Sequence, residues 1–149
     1  MSYSPTIIVV HPKENRAKCS LEPLRGRPDL QFVTFSAKRL VELSGDYVRL
    51  AVDGPPLTEG DADKGILLID GTWRHAVRMN ASFSRFPARS IHGFQTAYPR
   101  VSKLFMDPVG GLASIEALYI AYRILRRPTD GLLDAYFWRD KFLELNGWS

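Results

Sequence analysis

The sequence predicts an α/β protein, a single three-layer domain over residues 1–149 with a mostly parallel sheet between layers of helix. Two apolar runs, Thr6-Ile7-Ile8-Val9-Val10 and Ile66-Leu67-Leu68-Ile69, are continuous where a half-exposed strand would alternate. That pattern belongs to strands buried on both faces, which are typical of parallel sheets covered by helices. Each run then breaks into turn chemistry, His11-Pro12 after the first and Asp70-Gly71-Thr72 after the second. Beyond Trp73 the periodicity becomes helical, with Trp73, Ala76, Val77 and Asn80 on one side and Arg74 and Arg78 on another. At 149 residues, 45% hydrophobic and 24% charged, the chain can bury one core without disulfides or metal.

Taken in order, the first strand is expected at 6–10 and a second at 31–35, followed by a short amphipathic helix over 37–43 capped by Ser36. A third strand is expected at 47–52. Pro55 and Pro56 then require a loop, because neither has an N–H for a ladder. The helix that opens at Trp73 should end near Phe83, and 88–92 suits a short strand. Asp107-Pro108-Val109-Gly110-Gly111 forms a turn cluster ahead of a helix capped by Ser114, with Leu118, Ala121, Tyr122 and Leu125 as its core face. Such a turn can hold an anion on free N–H groups, though it lacks the Gly-Lys-Ser/Thr ending of a phosphate loop. Arg126-Arg127-Pro128 ends that helix. A last helix is expected from a Thr129 cap, burying Leu132, Leu133, Tyr136 and Phe137, with Trp138 and Phe142 sharing a packing face.

Charge narrows the partners. The net charge is +4, and from Gly71 to Met106 there is no Asp or Glu, whereas Arg74, Arg78, Arg85, Arg89, Arg100 and Lys103 all fall there. A second basic segment holds Lys13, Arg16, Lys18, Arg25 and Arg27 against Glu14 and Glu22. Both suit a polyanionic partner, nucleic acid above all; the alternative is a solvated basic surface. No apolar run approaches the ~20 residues that span a bilayer, so no membrane partner is expected and the expected location is cytoplasmic. Cys19 stands alone and His11, His75 and His92 form no pair at metal-ligand spacing, so neither a disulfide nor a metal is expected.

In open α/β sheets, ligands sit beyond the carboxyl ends of the strands, where Asp70, Thr72 and Trp73 fall. The alternative is that Asp70 or Thr72 caps the next helix and Trp73 packs in the core. Asp70-Gly71-Thr72-Trp73 resembles the Asp-x-Thr-Trp signature of the DTW superfamily of RNA aminocarboxypropyltransferases. Three further blocks are similar to that family: His11-Pro12-Lys13-Glu14-Asn15, Leu112-Ala113-Ser114-Ile115-Glu116-Ala117-Leu118, and the stretch from Phe137 to Asn146. The last resembles the branch acting on small-subunit ribosomal RNA, and the absent cysteine cluster departs from the transfer-RNA branch. The stretch 93–100 is loosely similar to the family's ligand loop, with that motif's Asn and Gly replaced, so the resemblance implies a loop role and not individual contacts.

The resemblance implies a SPOUT-like fold with a trefoil knot near the C-terminus, S-adenosylmethionine (SAM) as cofactor, and structured RNA as partner, ribosomal rather than transfer RNA. It implies a basic part over about 1–60 facing RNA and a cofactor-binding part over about 61–149. The implied reaction moves the 3-amino-3-carboxypropyl group of SAM to N3 of a uridine or pseudouridine and releases methylthioadenosine. Within it, Asp70 is the expected catalytic residue, orienting or deprotonating the base. Trp73 would wall the cofactor, Thr72 would bind its methionyl part, and Tyr98, Leu112, Ser114 and Glu116 complete the cofactor set. For Glu116 the alternative is to stabilise its own helix N-terminus. RNA contacts are expected from Lys13, Arg16, Lys18, Arg25, Arg27, Arg74 and Arg78. A SPOUT-type RNA methyltransferase and a non-catalytic RNA-binding or ribosome-assembly module remain as alternatives.

Overall fold

The protein is described by a computed structural model covering residues 3–13, 21–36, 46–51, 54–70, 73–97 and 112–148. Five strands among them form one sheet: β1 (Thr6–Val10), β2 (Leu30–Thr34), β3 (Tyr47–Leu50), β4 (Gly65–Asp70) and β5 (Ala88–Arg89). The order is β2-β1-β4-β3-β5 and every pairing between these strands is parallel. Three α-helices accompany them: α1 (Trp73–Ser82), α2 (Ser114–Ile124) and α3 (Arg139–Leu145).

The two continuous apolar runs lie side by side, from Ile7 opposite Leu67 to Val10 opposite Asp70. Because strand side chains alternate between faces, each run feeds two cores. Ile7, Val9, Leu67 and Ile69 point to one face and pack with Phe35, Tyr47, Met79 and Phe83, the last two from α1 and the turn after it. Ile8, Val10, Val48, Leu50, Ile66 and Leu68 point to the other, against Leu118 and Tyr122 of α2, Leu132 and Leu133 of the turns that follow it, and Phe142 of α3. Burying each such side chain contributes roughly 1.5–3 kcal/mol, which explains why no polar residue interrupts these runs. Gly65 is needed at the start of β4, since a Cβ there would run into the Tyr47 ring.

The amino-terminal edge of the sheet is tied by a polar cluster. Arg127, 5% exposed, stacks its guanidinium 3.9 Å from the Tyr3 ring centroid and 5.8 Å from that of Tyr122. Its Nη2 donates to the Ala62 and Lys64 carbonyls, while Nε and Nη1 have no hydrogen-bond partner. Burial pushes its pKa down. The Tyr122 hydroxyl meets Thr6 Oγ1 at 2.7 Å, and burial pushes its pKa up to about 12. Tyr47, also raised by burial, donates to the Pro5 carbonyl at 2.7 Å.

α2 ends in a Schellman turn, in which Arg127 N–H reaches the Tyr122 carbonyl at 2.9 Å and Arg126 N–H the Arg123 carbonyl at 3.2 Å. Arg126 takes the left-handed conformation there, φ 59. The expected final helix is corrected: residues 129–138 form successive turns, with Gly131 at φ 81, and α3 begins only at Arg139. Leu132 and Leu133 are buried as expected, but Phe137 is 84% exposed. Ser114 is also not the cap of α2; Ala113 occupies that position, extended at φ −66, and Ser114 is the first helical residue. The expected helix at 37–43 lies outside the described residues, as does the whole of 98–111.

Candidate functional site

The chain leaves β1 toward β2 on one side of the sheet and leaves β4 toward β5 on the other. The carboxyl ends of β1 and β4 therefore flank a topological switch point, where open parallel sheets bind ligands. Val10 and Asp70 are opposite each other there. Asp70 is half-buried and accepts a hydrogen bond from Ser114 Oγ at 2.6 Å, which joins the end of the central strand to the first residue of α2. His11 follows β1, stacks on Phe35 with ring centroids 6.2 Å apart, and its Nδ1 accepts from the Lys13 N–H at 3.1 Å. Lys13 itself is exposed.

Glu116, one turn into α2, is fully buried. Its Oε1 accepts from Thr96 Oγ1 at 2.5 Å and Ala113 N–H at 2.9 Å; its Oε2 accepts from Ala97 N–H and from the Tyr136 hydroxyl, both at 2.9 Å. Four donors fill a carboxylate's usual capacity. The Ala113 bond is the helix-start stabilisation expected as the alternative role, and the other three reach across the fold. The neighbouring residue of the loop, Gln95, exchanges two hydrogen bonds with Asn146 just past α3: its N–H donates to Oδ1 at 2.8 Å and its carbonyl accepts from Nδ2 at 2.9 Å. Phe94 packs on Trp148, ring centroids 5.4 Å apart. Leu112 is buried just ahead of α2.

Asp70, Ser114, Glu116 and Leu112 are thus gathered at one end of the sheet, where Trp73 and Arg74 open α1. Thr72, Tyr98, Arg16 and Lys18 lie outside the described residues. The remaining cations separate. Arg78 is exposed on α1. Arg25 pairs with Glu22 at 2.9 Å and lies 4.5 Å from the Phe32 centroid. Arg27 forks onto both Asp29 oxygens at 3.0 Å and also donates to the Asp130 carbonyl. The bond to Asp29 holds its pKa above the ordinary value. Because Asp29 borders the start of β2, Arg27 sits at the opposite end of the sheet from Asp70. Within the acid-free stretch, Arg89 finds the buried Asp61 at 3.2 Å, and Arg85 covers Phe86 at 4.5 Å. Sequence reasoning missed Thr96, Tyr136 and the bonds of Asn146. No local pattern announces them, because their partners are 20 to 51 residues away.

Among the described residues no group of three or more His, Cys, Asp or Glu is placed to hold a metal ion, and no helix is long and apolar enough to cross a membrane. No family model matches the sequence, and no curated protein matches it. Among solved structures, the chain is similar to the SAM-dependent rRNA:acp-transferase Tsr3 from Vulcanisaeta distributa, with a TM-score of 0.71 and 25% identity over 96% of this chain and 79% of that one.

Proposed function

We infer that the protein is a SAM-dependent RNA aminocarboxypropyltransferase, moving the 3-amino-3-carboxypropyl group to N3 of a uridine or pseudouridine in ribosomal RNA. The observation that carries this reading is the likeness to an rRNA:acp-transferase across 96% of the chain. The residues at the switch point fit the cofactor's charges. The positive end of α2 suits the carboxylate of the methionyl part. When bound, SAM supplies a chain carbon made electrophilic by its sulfonium. Transfer would break the carbon–sulfur bond as the N3–carbon bond forms, with the imide proton passing to Asp70 or to solvent and methylthioadenosine as the leaving group.

The protein's part is orientation. The methyl carbon is the less hindered target, so chain-carbon transfer requires that the bound geometry exclude it. In this reading Ser114 fixes the Asp70 carboxylate, which orients the base or takes its proton, while Thr72 and Trp73 border the methionyl part. Glu116 acts through the backbone it holds, since four donors already occupy its oxygens. Lys13, Arg74 and Arg78 are the cations we assign to phosphate.

Incubation with SAM and small-subunit ribosomal RNA should yield methylthioadenosine and an aminocarboxypropylated nucleoside. S-adenosylhomocysteine with a methylated nucleoside would instead establish a methyltransferase, and SAM-independent RNA binding without product would establish a binding module. Asp70→Asn should slow product formation more than it weakens SAM binding.

A further inference from the structure

We propose that the carboxyl-terminal segment, residues 136–148, acting together with Glu116 of α2, is a positioning device for loop 94–97, with Asn146 and Glu116 as the positioning residues. This deepens the functional reading and rests on it. The loop leads directly from β5 into residues 98–111 and onward to α2, whose first residue holds Asp70. It is fixed from outside at three consecutive residues, through the backbone at Gln95 and Ala97 and through the side-chain hydroxyl at Thr96. Asn146 pairs with Gln95 in both directions, as a neighbouring strand would. Glu116 takes Thr96 Oγ1 and Ala97 N–H. The Tyr136 hydroxyl holds Glu116 Oε2, so the carboxylate is pinned from the same carboxyl-terminal segment.

Asn146 is itself steadied, its Nδ2 also reaching the Phe142 carbonyl at 2.9 Å, while Phe142 is buried in the core. Trp148 packs on Phe94, Tyr119 and Phe142 and lies under Arg123 at 4.6 Å. Rigid core contacts on one side and backbone hydrogen bonds on the other are the arrangement that holds a loop in a single conformation. The consequence is specific: apart from the Thr96 hydroxyl, the loop is held through its backbone, and its shape depends on residues at 116, 136 and 146.

The test is made on the full chain with Asn146→Ala, Tyr136→Phe and, as a control on α3, the exposed Glu144→Gln. Hydrogen exchange is followed at single amides, and SAM binding by calorimetry. In Asn146→Ala the Gln95 amide loses its acceptor directly; the informative amide is Ala97, two residues on and bonded elsewhere. Its exchange should accelerate about tenfold, the equivalent of one hydrogen bond, with β1 and β4 unchanged. SAM affinity should fall by about tenfold in both clamp variants, with the fold retained, and stay at the parent value in Glu144→Gln. Unchanged Ala97 exchange in folded Asn146→Ala would overturn the proposal, as would SAM affinity within about twofold of the parent. A parent protein that binds no SAM would refute the functional reading alone, and Ala97 exchange would still decide whether the segment holds the loop.

Discussion

Raising the pH should unfasten the amino-terminal edge of the sheet, and Tyr122 sets the window. Its hydroxyl is buried against Thr6 Oγ1 with Arg127 nearby, and burial lifts its pKa from an ordinary 10.0 to about 12. A group whose pKa is raised on folding stabilises the fold fully below its unfolded value, and this contribution is lost as pH rises through the folded value. For Tyr122 the loss therefore begins near pH 10 and is complete near pH 12. A gap of about two units corresponds to about 2–3 kcal/mol at most, of which about 2 kcal/mol should already be gone at about pH 11.5. Tyr122→Phe removes the titrating group and one hydrogen bond, so near pH 8 the variant should be less stable by about 1 kcal/mol. The two stability curves must then cross between about pH 10 and 12. Urea unfolding at stepped pH measures both, and Tyr47, raised in the same direction, contributes equally to each curve. Parallel curves that never converge up to about pH 11.5 would refute the reasoning, because the ionised oxygen would then be no worse accommodated in the folded chain than in the unfolded one.

Three further outcomes are expected, the first from the structure and the other two from the proposed function. Gly65→Ala should destabilise the fold by about 1–3 kcal/mol in thermal or urea unfolding, because its Cβ would enter the Tyr47 ring and force the strand start to shift. Trp73→Ala should weaken SAM binding by several-fold with the fold intact, and unchanged affinity by calorimetry would remove Trp73 from the cofactor site; cation–π attraction to a sulfonium contributes about 0.5–2 kcal/mol. Replacing Arg74 and Arg78 by Ala should flatten the salt dependence of RNA binding by about 0.7 in log–log slope per lost phosphate contact, measured by titration at stepped ionic strength. An unchanged slope would move the RNA contacts to other cations.

The parts of the fold legible in the sequence are those where a local pattern and the tertiary environment agree. The strands Thr6–Val10 and Gly65–Asp70 each contain a continuous apolar run, 7–10 and 66–69, and the sheet interior is the one place such runs can be buried on both faces. The end of α1 and the short β5 followed similarly from periodicity and turn residues. Between 129 and 138 the same kind of reading failed. Leu132, Leu133, Tyr136 and Phe137 have helical spacing, yet Gly131 at φ 81 breaks the backbone and the segment folds into turns that bury the leucines and expose Phe137. Ser114 illustrates a different failure. A serine before a helix suggests a cap, but a carboxylate 44 residues earlier claims its hydroxyl and the helix starts one residue sooner. At the candidate site, the placement of Asp70 at a strand end was legible. The four donors around Glu116 were not, because three of them come from other segments of the chain.

The order β2-β1-β4-β3-β5 also has a kinetic consequence. β1 emerges first during synthesis, gains β2 at residues 30–34, and then waits for β4, whose partner residues 67–70 appear some sixty positions after their counterparts at 7–10. During that interval β1, whose five residues are all buried in the finished fold, has one open edge and two uncovered faces. Pairings over such separations form slowly, since the loop must close before any contact compensates. Partly made chains are thus most vulnerable to sticking together between the completion of β2 and the arrival of β4. Slowing translation across residues 35–65 should lower the soluble yield more than an equal pause placed after Asp70.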